Sequence, residues 1–150
     1  MKILNFFLVI AAGSLLSQGC ASPTASDSMQ QGRGSLVGLG NGICRQDNGL
    51  MWQVESTDTF SSGQEALNYV QKLTLGNHGN WRLPSKEELH DLYYIFDMKL
   101  AGDCPIKLKG SYWVTDGEIH AGEWESYPTC GGSELQYFKG ESGRVRAVWP

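Results

Sequence analysis

The chain has 150 residues, with twelve basic side chains against sixteen acidic ones and a formal net charge of −4 at neutral pH. That balance argues against nonspecific nucleic-acid binding and against docking on anionic lipid, both of which need a basic face. Nineteen glycines, five tryptophans and six tyrosines point to a loop-rich, aromatic-cored module rather than a helical bundle.

Met1-Lys2 precedes an apolar run from Ile3 to Leu16, broken by Asn5 and Gly13-Ser14 and followed by small residues. One basic residue, a short apolar stretch and small residues near a cut site specify a secretory signal peptide over residues 1–19, too short to span a bilayer comfortably. Cys20 follows directly. The stretch resembles the lipobox of bacterial lipoproteins, with the usual leucine displaced one place, to Leu16. The resemblance implies an exported protein, lipidated at Cys20 and held in the bacterial envelope by acyl chains. Ala21 after the cysteine is similar to the pattern sent on to the outer membrane. Residues 20–35 then form the lipidated cysteine and a flexible tether of Ser, Pro, Thr, Gln and Gly without apolar period. Stretched out, such a segment reaches about 45 Å, and as a coil roughly 20 Å. Loss of Lys2 with the leader leaves eleven basic against sixteen acidic residues.

Residues 36–150 suffice for one domain with its own core. Gly38, Gly40 and Gly42 make any strand irregular until Ile43-Cys44-Arg45. Gln46-Asp47-Asn48-Gly49 is a turn signal, and Leu50 to Val54 follows as a short apolar strand, so the pair predicts a hairpin. Ser62 with Glu65 opens a helix whose Ala66, Tyr69, Val70 and Leu73 share one face. After a Gly/Asn/His loop comes Asn80-Trp81-Arg82-Leu83-Pro84-Ser85, which turns into a second helix. There Ser85 and Glu88 have capping-box spacing, and Leu89, Leu92, Tyr93 and Phe96 recur at helical period.

Ser111 to Thr115 predicts a strand ended by Asp116-Gly117. Residues 116–133 carry a loop-like composition, and residues 135–138 and 145–149 predict two further strands. Strands, two helices, then strands is the order of an α+β domain with helices packed on antiparallel sheet. Trp52, Trp81, Leu83 and Trp113 are the expected structural core. Arg82 is expected to pair with a carboxylate or to cap loop carbonyls. Arg146 alternates with Val145 and Ala147 and is expected on the exposed face of the last strand. Of Cys44, Cys104 and Cys130, two are expected to pair in an oxidising compartment, and three pairings are possible. Turn-rich flanks favour Cys104 with Cys130, leaving Cys44 as a small buried hydrophobe.

Four blocks in order resemble the Lcl C-terminal domain family: Gly49 to Gln53; Asn80 to Ser85 with Glu87-Glu88-Leu89; Tyr112-Trp113; and Val145 to Val148. The resemblance implies a C-type-lectin-like fold, related to the domain used by formylglycine-generating enzymes, with first and last strands side by side and two helices flanking a small sheet. Relatives in that family include the terminal domain of a collagen-like surface adhesin that engages sulfated glycosaminoglycans. This chain has no collagen repeat, and Lys99, Lys107 and Lys109 are expected to be solvated loop charges.

His78, His90 and His120 have no metal-ligand spacing, so neither metal nor cofactor is expected. The sugar-binding triplets of calcium lectins are absent. Residues 116–127 do combine carboxylates with aromatics, which accept hydroxyl hydrogen bonds and stack on sugar faces or peptide side chains. A ligand site is therefore expected at Asp116, His120, Glu123, Trp124, Glu125 and Tyr127. The expected function is a membrane-tethered, non-catalytic envelope module that binds a glycan or an envelope protein and no nucleic acid. Alternatives are a thiol- or metal-dependent enzyme on the formylglycine-generating fold, and a structural envelope protein.

Overall fold

The computed structural model describes residues 34–150. The expected signal peptide, Cys20 and nearly all of the expected tether lie outside the described residues. Ser35, at the tether's end, already belongs to the domain: its N–H donates to Asp47 Oδ2 at 2.9 Å, and its carbonyl accepts from the Asp47 N–H at 3.2 Å.

Nine elements follow: β1 (Leu36–Gly40), β2 (Ile43–Gln46), β3 (Met51–Gln53), α1 (Gly63–Lys72), α2 (Lys86–Asp97), β4 (Tyr112–Thr115), β5 (Ile119–Thr129), β6 (Gly132–Gly140) and β7 (Val148–Trp149). They form two antiparallel sheets, one in the order β1-β2-β3-β7 and one in the order β4-β5-β6. This is the α+β arrangement expected of a C-type-lectin-like fold. One detail departs from that expectation. The last strand pairs with β3 rather than with the first described strand, which occupies the opposite edge.

The first sheet is covered on both sides, which is why its short strands lack alternation of polar and apolar residues. Cys44, Trp52 and Val148 point into a cluster with Leu89, Leu92 and Ile95 of α2. Their strand neighbours Ile43 and Met51 point the other way, into a cluster with Ala66 and Val70 of α1 and with Trp81, Leu83 and Trp113. All four residues expected as core are buried. The indole N–H groups do not go unpaired: Trp52 donates to Gln46 Oε1 (2.9 Å), Trp81 to the His78 carbonyl (2.9 Å) and Trp113 to the Phe60 carbonyl (3.3 Å). A buried indole with a fixed acceptor has only one orientation, so each tryptophan sets a loop as well as filling space.

The segment from Asn80 to Leu89 joins the sheets. Arg82 exchanges two backbone hydrogen bonds of 2.9 Å with Val148, and the Pro84 carbonyl accepts from the Thr115 N–H at 2.9 Å. Asn80 has φ 61°, a left-handed conformation that asparagine tolerates better than most residues. Ser85 then caps α2 with the complete capping box anticipated from its spacing with Glu88.

Three expectations are corrected. The disulfide joins Cys44 to Cys104, with Cα atoms 5.9 Å apart, and not Cys104 to Cys130. Cys44 faces the α2 side of β2, where the 101–106 segment packs, whereas Cys130 sits exposed, with no disulfide partner among the described residues, in the turn between β5 and β6. Turn residues mark where the chain reverses, and carry no information about which turns meet. Arg146 is 1 % exposed rather than on an open strand face. β7 comprises only two residues, so strand alternation does not govern Val145, Arg146 and Ala147, and all three are buried. Residues 116–133, expected as loop, hold the eleven-residue strand β5, which pairs with β6 from Ala121↔Gly140 to Thr129↔Gly132. Gly122, Pro128 and the two glutamates Glu123 and Glu125 depress the strand signal in β5.

Candidate functional site

The expected ligand residues lie on the β5–β6 hairpin and the turn before it, but successive strand residues point to opposite faces. The structure therefore divides them. Trp124 faces α2: its indole N–H donates to the Lys86 carbonyl at 3.3 Å, its ring lies 4.6 Å from His90 and 5.1 Å from Tyr137. Lys86 Nζ sits 4.7 Å from the Tyr137 ring centroid, a cation over a π face. Ser126 continues this inner face with a 3.1 Å hydrogen bond to Asp97 Oδ1. Lys86, His90, Tyr93 and Asp97 thus form one stripe along α2 at helical spacing, and the hairpin's inner face lies against it.

His120 belongs to the inner face too, edge-on to Tyr137 with ring centroids 5.8 Å apart. Both His120 ring nitrogens and the Tyr137 hydroxyl are buried without a hydrogen-bond partner among the described residues. Burial, followed by the Asp116 charge, pushes the Tyr137 phenol up to about 12. Gly122 is required beneath that ring, since a Cβ there would overlap the Tyr137 phenol. Asp116 itself is exposed in the β4–β5 turn.

Glu123, Glu125 and Tyr127 point to the outer side of the hairpin. The Tyr127 hydroxyl donates to Glu125 Oε2 at 2.8 Å, and that hydrogen bond holds the phenol protonated above its ordinary range. The Tyr127 ring lies 6.2 Å from Phe138 of β6, and these two rings are 38 % and 43 % exposed. Phe138 lies directly opposite Glu123 in the ladder. The outer face is therefore a short aromatic strip edged by carboxylates, and the sequence-predicted residues that share it are Glu123, Glu125 and Tyr127. Phe138 was missed because its place opposite Glu123 depends on strand register rather than on any local motif.

Arg82 has the carboxylate partner expected of it. Its guanidinium meets Glu88 through two hydrogen bonds of 2.7 Å and also donates to the Leu83 carbonyl at 3.1 Å. Burial pushes the Glu88 carboxyl up, but Arg82 and the Ser85 N–H overcome it and hold it below the usual carboxylate range. This pair fixes the corner between the sheets and is not part of the hairpin. Among the described residues no group of three or more His, Cys, Asp or Glu side chains is arranged to hold a metal ion.

Two small antiparallel sheets, two capped helices and a projecting hairpin define an α+β domain of extracellular type, closed by a disulfide. The family model of the Lcl C-terminal domain matches residues 43–149, and the chain belongs to that family. No curated protein and no solved structure matches the chain.

Proposed function

We propose that the chain is a non-catalytic recognition module of the bacterial envelope, anchored through a lipidated Cys20 in the outer membrane, and that it binds a glycan or an envelope protein with the outer face of the β5–β6 hairpin. The observation that supports this most is the pair of exposed rings, Tyr127 and Phe138, set beside Glu125 and Glu123 on the outer face of the hairpin. Rings held by strand pairing lose little freedom on contact, and neighbouring carboxylates accept hydroxyl or amide hydrogen bonds. Trp124 and His120 support that surface from the inner side and do not belong to the contact.

The test is binding of the full chain to panels of glycans and envelope proteins, compared with a Tyr127→Ala, Phe138→Ala double variant. The double variant is expected to keep its melting temperature within a few degrees and to lose at least tenfold in affinity. Unchanged affinity for every ligand that the parent chain binds removes the hairpin as the site. Mass spectrometry of the mature N-terminus checks the anchor independently, by the acyl mass on Cys20.

A further inference from the structure

We infer that the domain carries a second, separate site, a pocket for a multivalent oxyanion, built around Arg146. Four of the chain's twelve basic residues, Lys107, Lys109, Arg144 and Arg146, line one cavity of about 260 Å3, and Glu55 is the single acidic residue among its walls. In a protein with more acids than bases this is a concentration of charge that the overall composition conceals. Two of the three lysines expected to be solvated loop charges line this cavity, and Lys99 is not among the lining residues.

Arg146 supplies the second observation. At 1 % exposure it is a buried cation. Its Nη atoms donate to the carbonyls of Gln53 (2.8 Å), Val54 and Lys107 (2.8 Å) and to the Tyr112 hydroxyl (3.3 Å). Every one of these partners is neutral. Its Nε–H is buried and has no hydrogen-bond partner among the described residues. A buried guanidinium without a carboxylate is costly, and arginine is the side chain best shaped to meet carboxylate or phosphate oxygens. An arginine needed only as a staple would be satisfied by its carbonyls. The spare donor, and three further cations around the same cavity, point instead to an anion supplied from outside.

Three segments build the pocket: Val54 to Ser56 after β3, Pro105 to Lys109 after the disulfide, and Arg144 with Arg146 before β7. Arg144 is itself fixed, since its Nη1 donates to the Thr57 carbonyl at 2.9 Å. Lys107 and Lys109 are exposed and stand at the rim, free to close on a bound group. Four positive side chains against one carboxylate suit an anion of two or three charges, such as phosphate or a small polycarboxylate. The neighbouring cavity, of about 450 Å3, shares Val54, Glu55 and Pro105 and opens toward Gly38 and Gly40, so a ligand's uncharged body has somewhere to lie.

The experiment is a titration of the full chain with inorganic phosphate and with citrate at neutral pH, ionic strength held constant with sodium chloride. The readout is the Arg146 Nε–H resonance in proton–nitrogen correlation spectra, which reports this group directly. A saturable shift with either anion is expected. Phosphate alone assigns a compact tetrahedral anion, and citrate alone assigns a polycarboxylate. A Lys107→Gln, Lys109→Gln variant should weaken binding at least tenfold, Glu55→Gln should tighten it several-fold, and Lys99→Gln should leave it unchanged. Absence of a saturable shift with both anions overturns the inference, and so does equal binding by the double-lysine and Lys99→Gln variants. Arg146 is left in place throughout, so misfolding cannot imitate a loss of binding.

Discussion

Arg82 and Arg146 bring the same guanidinium into unlike surroundings. The side chain of Arg82 is 40 % exposed and holds Glu88 by both oxygens, whereas Arg146 is buried and holds only carbonyls and a phenol. The arginine that water could have solvated is the one with a counter-charge, and the one deprived of water has none among the described residues. Ion pairing is therefore not what secures Arg146. It is held by geometry, as the point where three segments converge, and its charge is left facing a cavity. Changes around the two arginines should consequently differ in size, in pH dependence and in response to added anion.

The largest effect is expected from the disulfide, which fastens the 104–109 wall of the Arg146 pocket to β2. Cys44 and Cys104 are 60 residues apart, and in the chain-entropy description a closed loop of that length stabilises by about 4 kcal/mol. A Cys44→Ser, Cys104→Ser variant should lose about that much in urea unfolding. Cys130→Ser, which touches no partner cysteine among the described residues, should lose less than about 0.5 kcal/mol. Reversal of that order would restore the pairing favoured by the turns.

Next comes Arg146 itself. Arg146→Met keeps bulk but withdraws the donors from the carbonyls of Gln53, Val54 and Lys107 and from the Tyr112 hydroxyl. Leaving such groups buried and unsatisfied should cost about 3 kcal/mol. Phosphate should raise the melting temperature of the parent chain and have no effect on that of the variant, because a ligand stabilises only the folded state that binds it. Arg146→Lys, with one point charge in place of a planar fork, should recover less than half of the loss.

What could be read from the chain beforehand divides along the same line. Ser85, Glu88 and Ser62 act within a single turn, and local spacing is sufficient to specify a cap. Arg82 was legible because its partner lies six residues away. Arg146 was not, since its acceptors lie 93, 92 and 39 residues away and only the folded chain brings them together. Strand alternation then gave a wrong orientation, as it presumes a regular strand where the chain runs irregularly up to β7. The hairpin failed for another reason. Its inner face packs on α2 through Trp124 and Tyr137 while its outer face carries Tyr127 and Phe138 among carboxylates, but glycine, proline and glutamate in β5 blur the strand signal into a loop-like composition. The six residues expected as a site are neighbours in sequence, yet two lie on the inner face, three on the outer face and Asp116 in the turn before β5.

The smallest effect, and the sharpest contrast with Arg146, concerns pH. Because Glu88 is held below its ordinary value of 4.5, folding favours its charged form. The stability this contributes is present in full above pH 4.5 and is lost as the pH falls through the lower folded value, where the carboxyl becomes protonated. With Arg82 so open to solvent, screening reduces the pair to about 0.5–1 kcal/mol at neutral pH. Arg82→Gln should accordingly be less stable than the parent by that amount at pH 7, with the difference shrinking as the pH is lowered toward 3. Raising sodium chloride to about 1 M, where the screening length falls to about 3 Å, should shrink the pH 7 difference as well. Arg146→Met should show neither trend over the same range, since its hydrogen bonds are to groups that do not ionise between those two values. If acid or salt brought that variant level with the parent, a carboxylate would have to be its partner, and the contrast between the two arginines would collapse.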